Sequence, residues 1–423
     1  MIIKPRGTMD IMPEDTPLWQ YVEEKAREIS NTHGFGEIRF PTFEQTELFA
    51  RGVGDTTDVV QKEMYTFFDK DNRSMTLRPE GTASIARSIV ENGRCSDAMP
   101  LKLYYLISCF RYEKPASGRY REFYQYGVEM YGSESAASDA SVIALADSYV
   151  KSLGITDYSL EINSIGCKEC RPHYKKALTD YYTANYDTLC DTCKTRLKTN
   201  PLRILDCKNP ECAHLAKDAP KTLDYLCENC TSHMKTVEDS LKSMGITYKV
   251  DTGIVRGLDY YTRTVFEIIG PGEPDKDGNV RRLALGGGGR YDGLVEEIGG
   301  PKLPGVGFAM GLSRLIIALQ MSGKELPSKK KPVLYIASLG TNAQIQALGI
   351  VNKLRDAGIY AECDLVGRSL KAQMKYADKI GAEFTAIIGD NELENGKAIL
   401  KNMATSEQTE VEIKALADFF KNR

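Results

Sequence analysis

The stretch FRYEKPASGRYREFYQYGVEMYG, residues 110–132, alternates like a β-strand, breaks at Pro115 and Gly118, and alternates again. The sequence predicts an antiparallel hairpin with a long loop. Successive strand side chains point to opposite faces. Arg119, Arg121, Phe123, Gln125, Gly127 and Glu129 therefore share one face, and Tyr120, Glu122, Tyr124, Tyr126 and Val128 the other. In the first arm Arg111 and Glu113 fall together. A face carrying arginines, carboxylates, an amide and a ring suits a nucleotide joined to a second polar molecule, because Arg grips phosphate oxygens in a bidentate fork. The plainer alternative is a solvated face with Arg–Glu cross-strand pairs.

Around this hairpin the pattern is that of a mixed chain. Residues 15–33 predict an amphipathic helix with Leu18, Trp19, Val22, Ala26 and Ile29 on one stripe. A strand-like run, GFGEIRFPTFEQTELF, is interrupted at Pro41. Helices are expected over 80–92 and 139–154, the second stopped by Gly154. Strand signals return at ITYKVD, TRTVFEIIG and RRLALGGGGRYDGL. After the linker-like SGKELPSKKKP, fully apolar strands alternate with helices, which predicts a small α/β domain with a mostly parallel sheet.

The 423 residues suffice for two or three domains, and the 42% hydrophobic and 27% charged contents are those of a globular protein. Net charge is −3, which argues against a surface coated in positive charge but leaves room for a local basic patch. With no long apolar run and no secretory leader in MIIKPRGTMDIMPED, no membrane partner and a cytoplasmic address are expected.

Three further segments carry chemistry. LRPEGTASIAR (77–87) puts Glu80 and Thr82 at a helix entrance, where an ordinary cap is the simplest reading. VRGLDYYTRTVFE (255–267) holds Arg256 and two neighbouring tyrosines, of which Tyr261 or Tyr260 can enter a pocket while the other packs. GGGGRYDG (286–293) and GVGFAMGLSRL (305–315) combine small residues, which admit close backbone approach, with Tyr291 and Arg314.

Together these segments resemble the class II aminoacyl-tRNA synthetases and, within them, the histidyl-tRNA synthetase family. EIRFPTFEQTELF is similar to the first class motif, FRYEKPASGRYREF to the second and GVGFAMGLSRL to the third. VRGLDYYTRTVFE and GGGGRYDGLV are similar to the two segments particular to the histidine enzymes. The resemblance implies an α+β fold: an antiparallel sheet flanked by helices (1–166 and 246–325), a Cys-rich insertion (167–245) and a C-terminal α/β anticodon-binding domain (331–423). It implies ligation of L-histidine to tRNA(His) by a homodimer using ATP and Mg2+. It also implies roles. Arg111 holds the α-phosphate and the histidine carboxylate, Glu113 contacts adenine, and Phe123 stacks on it. Arg119 and Arg314 bind the remaining phosphates. Glu80, Thr82 and Gln125 receive the amino-acid backbone groups, Glu129, Tyr261 and Tyr291 read the imidazole, and Arg256 sits against the α-phosphate. The hairpin loop departs from many bacterial relatives in carrying Lys114 and Ala116 where those have Arg and Gln, which puts their way of reading the tRNA 5′ guanosine in question.

Eight of the eleven cysteines lie between positions 167 and 230, as CKEC, CDTC, CKNPEC and CENC. In a reducing compartment such clustering favours metal over disulfides. Cys167, Cys170, Cys190, Cys193, Cys207, Cys212, Cys227 and Cys230 are candidate zinc ligands, enough for one or two tetrahedral sites. His173, His214 and His233 read as surface residues.

Overall fold

The structure is a computed structural model that describes residues 1–54, 57–205, 207, 209–254, 257–274 and 280–422. It divides into two compact units, Met1–Pro327 and Ser328–Arg423, with the break inside the linker-like segment. The predicted Arg256 lies outside the described residues.

In the first unit the strands are β1 (Gly36–Glu37), β2 (Phe43–Gln45), β3 (Tyr65–Phe68), β4 (Ser74–Leu77), β5 (Leu101–Phe110), β6 (Glu122–Tyr131), β7 (Ser159–Ser164), β8 (Lys249–Val250), β9 (Thr262–Pro274), β10 (Val280–Arg290) and β11 (Gly305–Gly311). The helices are α1 (Thr16–Thr32), α2 (Thr46–Val53), α3 (Thr82–Glu91), α4 (Ala136–Ser152), α5 (Cys170–Ala184), α6 (Asp191–Thr199), α7 (Pro210–Lys217), α8 (Glu228–Ser243), α9 (Leu294–Glu297) and α10 (Leu312–Met321). Eight strands form one sheet in the order β1-β5-β6-β11-β10-β9-β7-β8. Only the outer pairs β1–β5 and β7–β8 are parallel, so the centre is antiparallel. Strands β2, β4 and β3 make a separate small sheet.

The quoted hairpin is β5 and β6, in register from Leu101 opposite Tyr131 to Phe110 opposite Glu122. The even residues Tyr126, Val128 and Met130 are buried in the main core, with Leu18, Trp19 and Val22 of α1, Val142 and Ile143 of α4, and Leu315 of α10. Tyr126 belongs in that core because its hydroxyl is satisfied by Ser30 Oγ at 2.7 Å. The odd face is thereby released from packing against these helices, and that is why it can be polar. Arg121 does not share it. The strand begins at Glu122, and the preceding bend lays Arg121 over the Tyr112 ring, 3.6 Å from its centroid.

The cysteine-rich segment folds as α5 to α8. Its own small core contains Tyr174, Leu178, Tyr182 and Ile204. Helix α8 turns Met234, Val237 and Leu241 into the main core instead. The second unit has β12 (Leu334–Ser338), β13 (Ala361–Cys363), β14 (Phe384–Ile388), β15 (Lys397–Asn402) and β16 (Gln408–Glu412), ordered β13-β12-β14-β15-β16. Its first three strands are parallel as expected, but β15 and β16 add an antiparallel extension, so the sheet is mixed.

Candidate active site

The odd face of β6 looks into a cavity of about 400 Å³. The loop after β5, strands β9, β10 and β11, and the start of α3 and α10 close around it. Arg111, Glu113, Arg119, Phe123, Gln125, Glu80, Thr82, Tyr261 and Arg314 all line it. The polar face of this hairpin thus lines a cavity and also carries Arg–Glu pairs of the kind the plainer alternative expects.

At one end stand three arginines. Arg111 donates from Nε to the Pro79 carbonyl at 2.8 Å and lies 5.4 Å from the Phe123 ring centroid. Glu113 lies between two of them, 3.9 Å from Arg111 and 3.8 Å from Arg119. Arg314, in the first turn of α10, donates to the carbonyls of Ala284 (2.7 Å) and Gly118 (3.3 Å). Gly118 has φ +64°, and a Cβ there would stand 2.9 Å from Arg314 Cγ. The glycine thus serves both the turn and the seat of the arginine. Burial and the neighbouring Arg119 hold the Arg314 guanidinium below its usual pKa. This end is built for polyanions.

At the other end two carboxylates are buried. Glu80 accepts from the backbone N–H groups of Thr82 (2.7 Å) and Ala83 (2.8 Å), so it is the helix cap that the simplest reading expected and a cavity wall as well. Burial raises its pKa against the lowering effect of those two donors. Glu129 is 1% exposed and accepts from Thr82 Oγ1 at 2.7 Å and from the Tyr291 hydroxyl. Burial pushes its pKa up to about 8. Glu129 and Tyr291 sit one layer behind the lining, reached through Thr82. Both tyrosines of the DYY segment reach the cavity wall, where one was expected to pack away; their ring centroids are 4.6 Å apart.

The glycines of β11 make room for this layer. A Cβ on Gly307 would lie 1.9 Å from Glu129 Oε2, and one on Gly305 would lie 2.3 Å from the Tyr291 ring. At Gly305 and Gly307 the space admits the chain's own side chains, whereas Gly311 lines the cavity itself. Tyr105, Glu267 and Ser313 also line the cavity and were not anticipated. A lone Glu inside the apolar run TRTVFEIIG was the available signal for Glu267.

Behind β10 lies a buried ionic network. Arg290, fully buried, meets Asp139 from Nε at 3.0 Å and Asp292 from Nη1 at 2.9 Å. Asp139 also meets His233 Nε2 and Thr264 Oγ1, each at 2.6 Å. His233 is therefore no surface residue; its side chain is 8% exposed. His173 and His214 are exposed as expected.

The eight clustered cysteines fall into two sets, Cys167, Cys170, Cys227 and Cys230, and Cys190, Cys193, Cys207 and Cys212. Within each set the sulfurs lie within 4.8 Å of one another.

A family model described as histidyl-tRNA synthetase matches residues 7–315, and one described as an anticodon binding domain matches residues 333–423. A histidine–tRNA ligase of Caldicellulosiruptor bescii is 52% identical over 420 residues, 99% of this chain and 98% of its own length. One of Clostridium perfringens is 51% identical over 409 residues, 96% of each. Among solved structures, the apo histidyl-tRNA synthetase of Staphylococcus aureus superposes with a TM-score of 0.84 at 40% identity, over the whole of both chains. With the resemblance of five ordered motifs, the cavity they line and these matches over nearly the full length, the chain belongs to the histidyl-tRNA synthetase family.

Proposed function

We propose that the protein is a histidine–tRNA ligase that activates L-histidine with ATP and transfers it to tRNA(His). The observation that carries this reading is one cavity with a polyanion end and a buried carboxylate end. Guanidinium groups at 111, 119 and 314 meet it on one side, and Glu80 and the Thr82–Glu129–Tyr291 chain on the other. The triphosphate takes the arginine end, with adenine against Phe123 and Glu113. The histidine ammonium takes Glu80, Thr82 and Gln125, and the imidazole takes Tyr261 and, across Thr82, the Glu129–Tyr291 pair.

The histidine carboxylate attacks the α-phosphorus; the bond to the bridging oxygen breaks and pyrophosphate leaves, giving histidyl-adenylate. A terminal ribose hydroxyl of the tRNA then attacks the acyl carbon, and AMP leaves. Arg111, Arg314 and, by the family resemblance, Arg256 neutralise charge that grows in flight, the term that dominates phosphoryl and acyl transfer in preorganised sites. The carboxylates of Glu113 and Glu267 bring hard oxygen donors of the kind Mg2+ takes to the same cavity. The insertion's thiolates hold structural zinc and take no part in the chemistry. In this reading the chain comprises a catalytic body of 1–166 and 246–325, an insertion of 167–245, and an anticodon-binding domain of 331–423. The working form is a cytoplasmic homodimer. Among the described residues no helix is long and apolar enough to cross a membrane.

Histidine-dependent exchange of pyrophosphate into ATP tests the reading, and its absence refutes it in favour of a synthetase-like subunit that only binds histidine. In Arg256→Ala the exchange is expected to vanish while histidine still binds. Near-normal exchange in that variant removes its assigned role.

A further inference from the structure

The cysteine spacing offers four pairs but does not say which pairs meet. The fold brings the first pair to the last and the second to the third. Cys167 Sγ lies 3.7 Å from Cys170 Sγ and 3.9 Å from Cys227 Sγ, although Cys227 is far along the chain. Cys190 Sγ lies 3.9 Å from Cys207 Sγ. Four sulfurs at about 2.3 Å from one ion in a tetrahedron are about 3.8 Å from each other. These separations fit a single ion and are too long for a bond between sulfurs, which needs about 2.05 Å.

A second feature points the same way. Cys227 is the residue before α8 and Cys230 lies in its first turn; Cys190 and Cys193 stand likewise on α6. Cys170 opens α5, and Cys212 lies in the first turn of α7. Backbone N–H groups also donate to sulfur, Cys227 to Cys170 Sγ at 3.1 Å and Cys190 to Cys212 Sγ at 3.3 Å. Amide N–H donors and helix N-termini thus face both sulfur clusters, an arrangement that complements an anionic metal–thiolate centre.

Resting on the reading that the insertion holds zinc, we infer that it holds two Zn2+ ions in nested tetrathiolate sites. A basal site of Cys167, Cys170, Cys227 and Cys230 clamps the two roots of the insertion together. A distal site of Cys190, Cys193, Cys207 and Cys212 orders its tip. Each ion displaces four thiol protons and leaves a site of net charge −2, so binding weakens in acid. The basal clamp fixes where α8 starts. One turn further along, that helix delivers His233 to Asp139 and hence to the network beneath β10. The tip contains α6 and α7 and has its own core.

The experiment is zinc analysis of full-length protein beside histidine-dependent pyrophosphate exchange. Wild type carries two zinc per chain; one equivalent or less overturns the inference. The double variant Cys167→Ser, Cys227→Ser retains one zinc, since both ligands come from the basal site, whereas Cys167→Ser, Cys190→Ser retains none. The opposite outcome assigns neighbouring pairs to each other and overturns the nesting. The variant Cys190→Ser, Cys207→Ser loses one zinc, and retention of two would overturn the second site. Should a variant not accumulate, the pairing is read on wild type by alkylation during chelation. Cys167, Cys170, Cys227 and Cys230 become labelled as one group and the other four as another; labelling that groups Cys167 with Cys190 overturns the proposal. Zinc and exchange are separate readouts. Two zinc without exchange removes the ligase reading alone, and exchange without zinc removes this one alone.

Discussion

Replacing Glu129 by Gln should make the empty protein relatively more stable as pH rises, while weakening histidine binding. Glu129 is fully buried, and its partners, Thr82 and Tyr291, are hydroxyls. Its folded pKa of about 8 lies above the ordinary 4.5. The folded state therefore holds the proton more tightly than the unfolded chain. The contribution of Glu129 is fully present below pH 4.5 and is lost as pH rises towards 8, by about 1.4 kcal/mol per unit through that window. Between pH 5.5 and 7.5 the wild type should lose about 2.5 kcal/mol relative to Glu129→Gln, which has no proton to lose. Glu80 adds to this in the same sense, because its charge helps to raise Glu129 and is in turn relieved by the substitution. The assay is urea unfolding of both proteins at several pH values, comparing the change in free energy and not its absolute size, so that any cost of the new amide cancels. Saturating histidine should flatten the wild-type dependence, because a ring N–H or an imidazolium against Glu129 favours the carboxylate. Parallel pH curves for the two proteins would refute the reasoning, and so would a steeper loss in the variant.

Three other outcomes are expected. Gly307→Ala places a methyl 1.9 Å from Glu129 Oε2 and 2.4 Å from the Val128 carbonyl. It should cost about 1–3 kcal/mol of stability in a thermal scan and raise the histidine KM in exchange assays. Asp139→Asn leaves Arg290 buried without its main counter-charge and should lower stability by about 3–5 kcal/mol, read from the urea midpoint. Arg314→Ala removes a preorganised cation and should cut exchange by about 10²–10³-fold with an unchanged circular dichroism spectrum.

Much of the site was legible because strand parity is a hard geometric rule. Parity places Phe123 and Gln125 on one face, and they line the cavity; Glu129 follows on the same face one layer down. Parity failed at Arg121 because it applies only inside the strand, and the strand starts one residue later. The glycines of β11 could be read as sites of close approach, but not as seats for Glu129 and Tyr291, since the atoms they admit come from other strands. His233 was misread for a similar reason: its partner Asp139 is 94 residues away, on another helix. The antiparallel half of the second unit's sheet is hard to see in the sequence because KAILKN offers only a three-residue apolar run and QTEVE a single apolar residue. Ala398 and Leu400 face the core while Ile399 is half exposed, so the apolar run hides its alternation.

At the proposed imidazole end the buried Glu129 has hydroxyl partners and no cation, and on the proposed assignment that is the source of selectivity. Burial and then the nearby Glu80 raise Glu129, whose hydrogen-bond partners are hydroxyls, while Glu80 accepts from two backbone amides and feels the Arg111 charge. Thr82 and Tyr291 each give one hydrogen bond, which orients the Glu129 carboxylate without neutralising it. A ligand that brings a ring N–H and an ammonium relieves both carboxylates at once. One that fits the volume but lacks the ring N–H leaves Glu129 buried and short of a donor, and so forfeits binding energy that a purely apolar pocket could not withhold. The raised pKa of Glu129 and the rejection of near-isosteric amino acids are thus the same free energy, read once against protons and once against substrates.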